Sequence, residues 1–111
     1  MQRKITIKPL SVNDAWQGKR FKTPEYKKFE RDIAFMLPKI QIPDGDLELF
    51  LEWGFSSSGS DWDNPIKPFV DILQKKYGFN DNRIQIAHVK KTKVKKGEEY
   101  IAFEIKPYGK V

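Results

Sequence analysis

The sequence predicts one α+β domain, in which a mixed or antiparallel sheet of about four strands carries two helices. Residues 47–53 alternate between apolar and polar side chains, which is the period of a half-buried strand. Two other segments place apolar residues at helical spacing between recognisable start and stop signals. The predicted order is β-α-β-α-β-β, and 111 residues are enough for a single domain covering residues 1–111.

The composition excludes several classes of site. The chain has no cysteine, so disulfides, thiolate zinc sites and cysteine nucleophiles are absent from it. Its formal net charge of +6 favours polyanionic partners, nucleic acid first, although small soluble domains often carry a charge of this size. The N-terminal residues do not form a signal peptide, and no apolar run reaches membrane-spanning length. We therefore expect a cytoplasmic protein without a membrane partner.

The first strand is expected over residues 2–8, where Ile5 and Ile7 share one face, and Pro9 ends it. A polar loop follows over residues 10–22. Two interpretations of this loop stay open, because basic residues beside aromatics suit phosphate contact and base stacking, whereas aromatics in a surface loop can also simply enter the core. The basic residues concerned are Lys19, Arg20 and Lys22, with Trp16 and Phe21 among them.

Thr23-Pro24-Glu25 is typical of a helix start, with a hydroxyl cap, proline in the first position and an acid in the first turn. This helix is expected to stop at Pro38, and the strand that alternates from Leu47 then runs to about Phe55. A second amphipathic helix is predicted to run to Tyr77, closed by Gly78. Strands are predicted at residues 83–90 and 99–106, joined as a hairpin with Lys96-Gly97 in the turn.

The stretch 61–71, Asp-Trp-Asp-Asn-Pro-Ile-Lys-Pro-Phe-Val-Asp, concentrates charge at the mouth of the second helix. Asp63, Lys67 and Asp71 are spaced by four, so on a helix they would line one face. Oxygen ligands there suit Mg²⁺, and a helix N-terminus attracts phosphate. Structural alternatives remain: Asp63 or Asn64 can serve as an N-cap, and Lys67–Asp71 can be an exposed ion pair worth a few tenths of a kcal/mol.

A further acid, Asp81, lies in a turn between the second helix and the next strand, where the chain reverses and can return toward the helix mouth. Asn-Asp-Asn is also ordinary turn composition. From residue spacing alone, a metal site at the helix mouth is one interpretation among these.

This combination resembles the RusA family of Holliday junction resolvases. The resemblance rests on the pattern Asp-x-Asp-Asn-x-x-Lys-x-x-x-Asp at residues 61–71, on Asn80-Asp81-Asn82-Arg83-Ile84, on Pro9-Leu10-Ser11-Val12-Asn13 after the first strand, and on the element order. It covers most of the chain. The family often has two adjacent aspartates where this chain has Asn80-Asp81, so Asp81 is placed on the second of them, which requires a one-residue gap.

The resemblance implies a Mg²⁺-dependent endonuclease, with Mn²⁺ as a substitute, that acts as a homodimer and makes paired nicks in four-way DNA junctions. It implies a bacterial or phage origin. The metal-binding carboxylates would be Asp61, Asp63 and Asp81, and the catalytic lysine Lys67, which would stabilise charge on the phosphate. Asp71 would hold Lys67 in place, and Asn64 would cap the helix.

The predicted hairpin would grip the DNA backbone through Lys90, Lys91, Lys93, Lys95 and Lys96. Lysines also protect exposed edge strands from aggregation, so a solvated edge is the alternative. The only histidine, His88, is expected to be structural. Two other functions remain open: a nucleic-acid-binding module of the same fold without catalysis, and a nuclease that prefers forks or flaps.

Overall fold

A computed structural model describes residues 2–10, 16–17, 21–57 and 59–109. Its two helices pack on one face of a four-stranded sheet. The elements in chain order are β1 (Arg3–Ile5), β2 (Trp16–Gln17), β3 (Phe21–Lys22), α1 (Pro24–Met36), β4 (Leu47–Phe55), α2 (Ile66–Tyr77), a 3₁₀ helix (Asp81–Arg83), β5 (Ile84–Lys93) and β6 (Tyr100–Pro107).

The main sheet has the spatial order β1-β6-β4-β5. β6 runs antiparallel to both β1 and β4, whereas β5 runs parallel to β4. The sheet is therefore mixed, and the predicted α+β class with four main strands and two helices is confirmed.

The alternation along β4 decides which face of the sheet carries the helices. Leu47, Leu49, Leu51 and Trp53 are buried, while the intervening side chains are only half-buried. The buried face meets apolar residues of both helices, which are Tyr26, Phe29 and Ile33 from α1 and Phe69, Val70, Ile72 and Leu73 from α2. Burial of large side chains such as these contributes roughly 1.5–3 kcal/mol each.

Local signals explain where α1 begins. Thr23 Oγ1 accepts a 3.1 Å hydrogen bond from the backbone N–H of Tyr26, and Pro24 occupies the first helical position. The segment just after α1 is tied to α2, because the Tyr77 hydroxyl donates to the Pro38 carbonyl at 2.6 Å. Thr23 and Pro24 therefore set where α1 starts, and Pro38 sets where it stops. Pro38 also provides the carbonyl that links this end of the helix to α2.

The predicted hairpin between β5 and β6 is wrong. These strands lie on opposite sides of β4, so the connection 94–99 crosses the end of β4, where the Val94 N–H donates to the Phe55 carbonyl at 2.8 Å. β4 is the most apolar strand. Its position between β6 and β5 lets its backbone form hydrogen bonds along both edges. The lysines of 90–96 therefore belong to an edge strand and a crossover.

Two smaller differences concern the N-terminal part. β1 spans only Arg3–Ile5 of the expected 2–8, because the Ile7 N–H donates to the Ile5 carbonyl at 3.1 Å and turns the chain. The expected loop 10–22 contains the short antiparallel pair β2–β3.

Candidate functional site

The acidic turn before α2 is held by backbone contacts. Residues 62–65 form turns, the Ile66 N–H donates to the Asp63 carbonyl at 3.2 Å, and the Trp53 indole N–H donates to the Trp62 carbonyl at 2.7 Å. Pro65 is buried beneath the turn. Asp61 and Asp63 consequently stand on a fixed backbone at the surface, and both side chains are exposed.

Asn64 does not cap α2. The helix starts at Ile66 with Pro65 in the cap position, and no side chain accepts a capping hydrogen bond there. The two prolines of the first turn lack N–H groups, so fewer donors require a partner than at an ordinary helix start. The expectation of an Asn64 cap is therefore wrong, and Asp63 lies one turn ahead of the helix rather than in it.

Lys67 and Asp71 form the ion pair that their spacing predicts. Lys67 Nζ lies 3.5 Å from Asp71 Oδ2 across one turn of α2. The lysine side chain is 67 % exposed and that of the aspartate 25 %, so Asp71 is the more anchored partner. An exposed pair of this kind adds only about 0.3–0.5 kcal/mol to stability. Its relevance to the site is therefore the position that it gives to Lys67.

Asp81 returns to this face of α2. The Asp81 backbone N–H donates to Gln74 Oε1 at 2.8 Å, and Gln74 Nε2 lies 3.4 Å from Asp71 Oδ1. Lys67, Asp71 and Asp81 thereby line one cavity of about 300 Å³, whose remaining wall is apolar. That wall consists of Leu49, Ile66, Val70, Ile84 and Ala87.

The turn that carries Asp81 is fixed from both sides. Asn80 Oδ1 accepts from the Asn82 N–H at 2.9 Å, which caps the 3₁₀ helix. The Arg83 guanidinium donates to the carbonyls of Pro43 and Gly45 in the turn before β4. Asn80 therefore has a structural task, and Asp81 is the acid of this turn that faces α2.

Asp61 lies in a second cavity, of about 290 Å³, together with Asn64. This cavity is also lined by Lys8, Glu99 and the serines at positions 56, 57 and 60. The three predicted metal ligands are thus not gathered: within the described ranges, no group of three or more acidic or histidine side chains is arranged to hold a metal ion. The described residues do not form a ready three-carboxylate site.

The lysines of 90–96 are presented to solvent. Among the residues that the structure describes, none of the five forms a salt bridge, and the side chains of Lys90, Lys91, Lys93, Lys95 and Lys96 are all exposed. Register with β4 puts Lys91 and Lys93 opposite Trp53 and Phe55, on the helix-bearing side. Lys91 Nζ also donates to the Ser60 carbonyl at 2.8 Å, beside the acidic turn.

A basic groove lies next to the crossover 94–99, at the end of β4. It holds about 740 Å³ and is lined by Lys93, Lys95 and Lys96 together with Lys4 of β1. Lys4 Nζ lies 4.4 Å from the centre of the Tyr100 ring. The hydrogen bond from the Tyr100 hydroxyl to Glu52 holds the pKa of this carboxyl below its ordinary value and raises that of the phenol.

Lys22 is engaged elsewhere. Its Nζ lies 2.9 Å from Glu30 Oε2, which Lys75 also contacts at 2.9 Å. Burial raises the pKa of Glu30, but the hydrogen bonds from Lys75 and Lys22 outweigh it, so the net shift is downward. Lys22 therefore has its charge balanced inside the protein. The other two predicted loop contacts, Lys19 and Arg20, lie outside the described residues.

His88 lies on the sheet face that carries no helix. Its ring stacks on Phe50 at a centroid distance of 4.4 Å, and its Nε2 lies 2.6 Å from Glu48 Oε2. The imidazole thus has both a packing partner and a polar partner within the sheet, as a structural residue would. Neither Phe50 nor Glu48 is a proposed site residue.

Several of these features could not be identified from the sequence motif. Gln74 is three residues after Asp71 on the same helical face, so its spacing is the signal that was available. Lys4 and Tyr100 meet only because β1 pairs with β6, and their sequence positions carry no signal of that kind.

No protein-family model matches this sequence, and no curated protein matches it either. In the described part of the chain, no helix is both long enough and apolar enough to cross a membrane.

Proposed function

We propose that this protein is a structure-selective DNA endonuclease that resolves four-way junctions, as the RusA-like sequence pattern implies. One observation carries the proposal: Lys67 and Asp81 line the same cavity, beside the strand β5, which bears the exposed lysines Lys90, Lys91 and Lys93. The cavity reaches Ile84 and Ala87 near the start of β5, and the exposed lysines follow further along the same strand. A phosphodiester backbone following β5 would pass both features.

Electrostatics supports a polyanionic substrate. The chain carries a net charge of +6, and five exposed lysines without ion pairs in the described structure lie within residues 90–96. If all five contact phosphates, log K should fall with log salt at a slope of about −4 to −5. Lys67 would neutralise phosphate charge, while its contact with Asp71 restrains the direction in which the ammonium group points.

Mg²⁺, with Mn²⁺ as a substitute, is part of the proposal. Its ligands would be Asp61, Asp63 and Asp81, as in the RusA-like pattern. Because Asp61 and Asp81 line different cavities and Asp63 lines neither of these two, the proposal requires the three side chains to converge on the ion when it binds together with DNA. The two turns that carry them are on the surface, and Asp61, Asp63 and Asp81 are exposed.

A homodimer is proposed because two opposed nicks require two sites. The helix-free face of β5 is a candidate contact, since β5 is an edge strand in the described sheet and Ile86 is exposed on the face opposite the cavity. The proposed activity would take place in the cytoplasm of a bacterium, where the protein is cellular or phage-encoded.

The decisive experiment is a nicking assay on a labelled mobile four-way junction, with Mg²⁺ or with EDTA. The wild type, Asp63→Asn and Lys67→Ala are compared with Asp32→Asn and Lys27→Ala, which make the same exchanges on α1, away from the site. We expect Mg²⁺-dependent nicking that falls about 10²–10³-fold in Lys67→Ala, with junction binding retained.

Three results would change the proposal. Binding without nicking by the wild type would contradict the enzyme and leave a nucleic-acid-binding module. Full activity of Asp63→Asn would contradict the assignment of the site. Faster cutting of flaps or forks than of four-way junctions would keep the nuclease and change its substrate.

A further inference from the structure

Trp62 is an exposed indole in the middle of the acidic turn. Its side chain is 54 % exposed, whereas Trp53, which contacts its carbonyl, is fully buried. The pattern Asp-x-Asp requires only that Asp61 and Asp63 flank position 62, so it does not explain why this residue is a tryptophan. A large apolar ring held in water at this position therefore calls for an explanation from its surroundings.

The backbone beneath the ring is well anchored. The Trp62 carbonyl accepts the 2.7 Å hydrogen bond from the core residue Trp53, and the next carbonyl, that of Asp63, accepts from the first N–H of α2. A ring on such a support loses little backbone freedom when a ligand packs on it, which lowers the entropic cost of binding.

The neighbouring charges restrict what can pack on Trp62. Asp61 and Asp63 flank it and repel phosphate, while Lys67 follows in the first turn of α2. On the other side, Lys91 Nζ lies 2.8 Å from the Ser60 carbonyl and offers a cation close to the turn. An apolar protein partner would have to desolvate these charges. A nucleotide would not, because its base is flat and uncharged and its phosphate can reach a lysine.

We propose that Trp62 stacks on a nucleobase that is exposed at the branch point of the DNA, next to the phosphate to be cut. This inference rests on the proposed nuclease function and adds a contact for recognising branched DNA. In continuous duplex, each base is covered by its neighbours, so the indole has no free face to meet. At a branch point, bases lose a stacking partner, and aromatic side chains bind such bases regardless of sequence.

The test measures equilibrium affinity for a four-way junction and for a duplex of the same arm sequence, in EDTA so that no cleavage occurs. Trp62→Ala is compared with Trp62→Phe and with Phe35→Ala, which removes a ring that is 90 % exposed on α1. We expect Trp62→Ala to weaken junction binding about tenfold or more and to leave duplex binding unchanged, while Trp62→Phe keeps most of the affinity. Phe35→Ala should change neither.

A second readout uses 2-aminopurine at the branch point, whose fluorescence reports stacking. The wild type and Trp62→Phe should change its emission on binding, and Trp62→Ala should not. Equal junction affinity of wild type and Trp62→Ala, or an equal loss for junction and duplex, would overturn the inference while leaving the nuclease proposal standing. A wild type that binds neither DNA would overturn the proposed function itself.

Discussion

The side-chain oxygen of Gln74 accepts a 2.8 Å hydrogen bond from the backbone N–H of Asp81. Through this bond, helix α2 fixes the turn that follows it. The same side chain lies 3.4 Å from Asp71 through its amide nitrogen, so one glutamine connects the helix-borne ion pair to the acid of the next turn. The relative position of Lys67 and Asp81 depends on this connection.

Gln74→Leu should therefore impair junction cleavage more than folding. The exchange keeps the size of the side chain but removes both hydrogen bonds, so Asp81 loses its restraint. We expect a fall of roughly tenfold in cleavage rate, with the free energy of unfolding lowered by about 1 kcal/mol. Single-turnover kinetics and urea unfolding measure the two effects. Gln41→Leu, the same exchange in an exposed loop, is the control, and wild-type cleavage by Gln74→Leu would contradict the prediction.

The two lysines of the crossover should contribute to the salt dependence of DNA binding. Changing Lys95 and Lys96 together to alanine removes two phosphate contacts, so the slope of log K against log salt should become less steep by about 1.8. Fluorescence anisotropy between 50 and 200 mM salt, the range over which such slopes are commonly read, provides the measurement. Lys27 and Lys28 changed together to alanine remove equal charge from α1 and should leave the slope unaltered.

Gly54 is required by the close approach of Tyr100. A Cβ atom at position 54 would lie 2.3 Å from Tyr100 Cδ1, which is far inside contact distance. Gly54→Ala should lower the free energy of unfolding by about 1–3 kcal/mol, because the ring must leave its place between Gly54 and Lys4. Urea unfolding tests this. In the double variant with Tyr100→Ala, the added cost of Gly54→Ala should disappear, and Gly59→Ala should be nearly neutral.

Stability at high pH should depend on Tyr26. Burial, followed by the negative charges of Asp71 and Glu30, raises the pKa of this phenol to about 12. The contribution of protonated Tyr26 to the free energy of unfolding is therefore complete below pH 10. It is lost as the pH rises toward 12, because the phenol loses its proton at a lower pH in the unfolded chain than in the folded one. The loss approaches roughly 2–3 kcal/mol. Urea unfolding at pH 8, 10 and 11 should show a steeper decline for the wild type than for Tyr26→Phe. Tyr108→Phe, at an exposed site, should decline like the wild type.

Much of the fold could be predicted from local patterns. The alternation along β4 and the apolar spacing in α2 specify both the element and its buried face, since one side of each must meet a core. The position of β5 could not be predicted in this way. A connection as short as 94–99 fits either a hairpin or a crossover over the end of one strand, and the choice depends on which strand needs two partners.

The candidate site was predictable only where one helix contains it. Lys67 and Asp71 meet because a turn of α2 separates them, which is a property of spacing. The spacing of four predicts Asp63 on the same helical face, but two prolines delay the helix to Ile66 and leave this acid in the preceding turn. The distance from Asp61 to Asp81 depends on how two loops fold over the sheet, and no periodicity in the sequence encodes that.

The pairing of β1 with β6 joins residues 3–5 to residues 101–103. On the ribosome, β1 has no partner in the main sheet until β6 has also left the exit tunnel. The central strand β4 likewise meets both of its neighbours, β5 and β6, only after they have been synthesised downstream of it. Assembly of the sheet therefore waits for β6, and a chain released before residue 100 would expose β1 and one edge of β4 to other nascent chains.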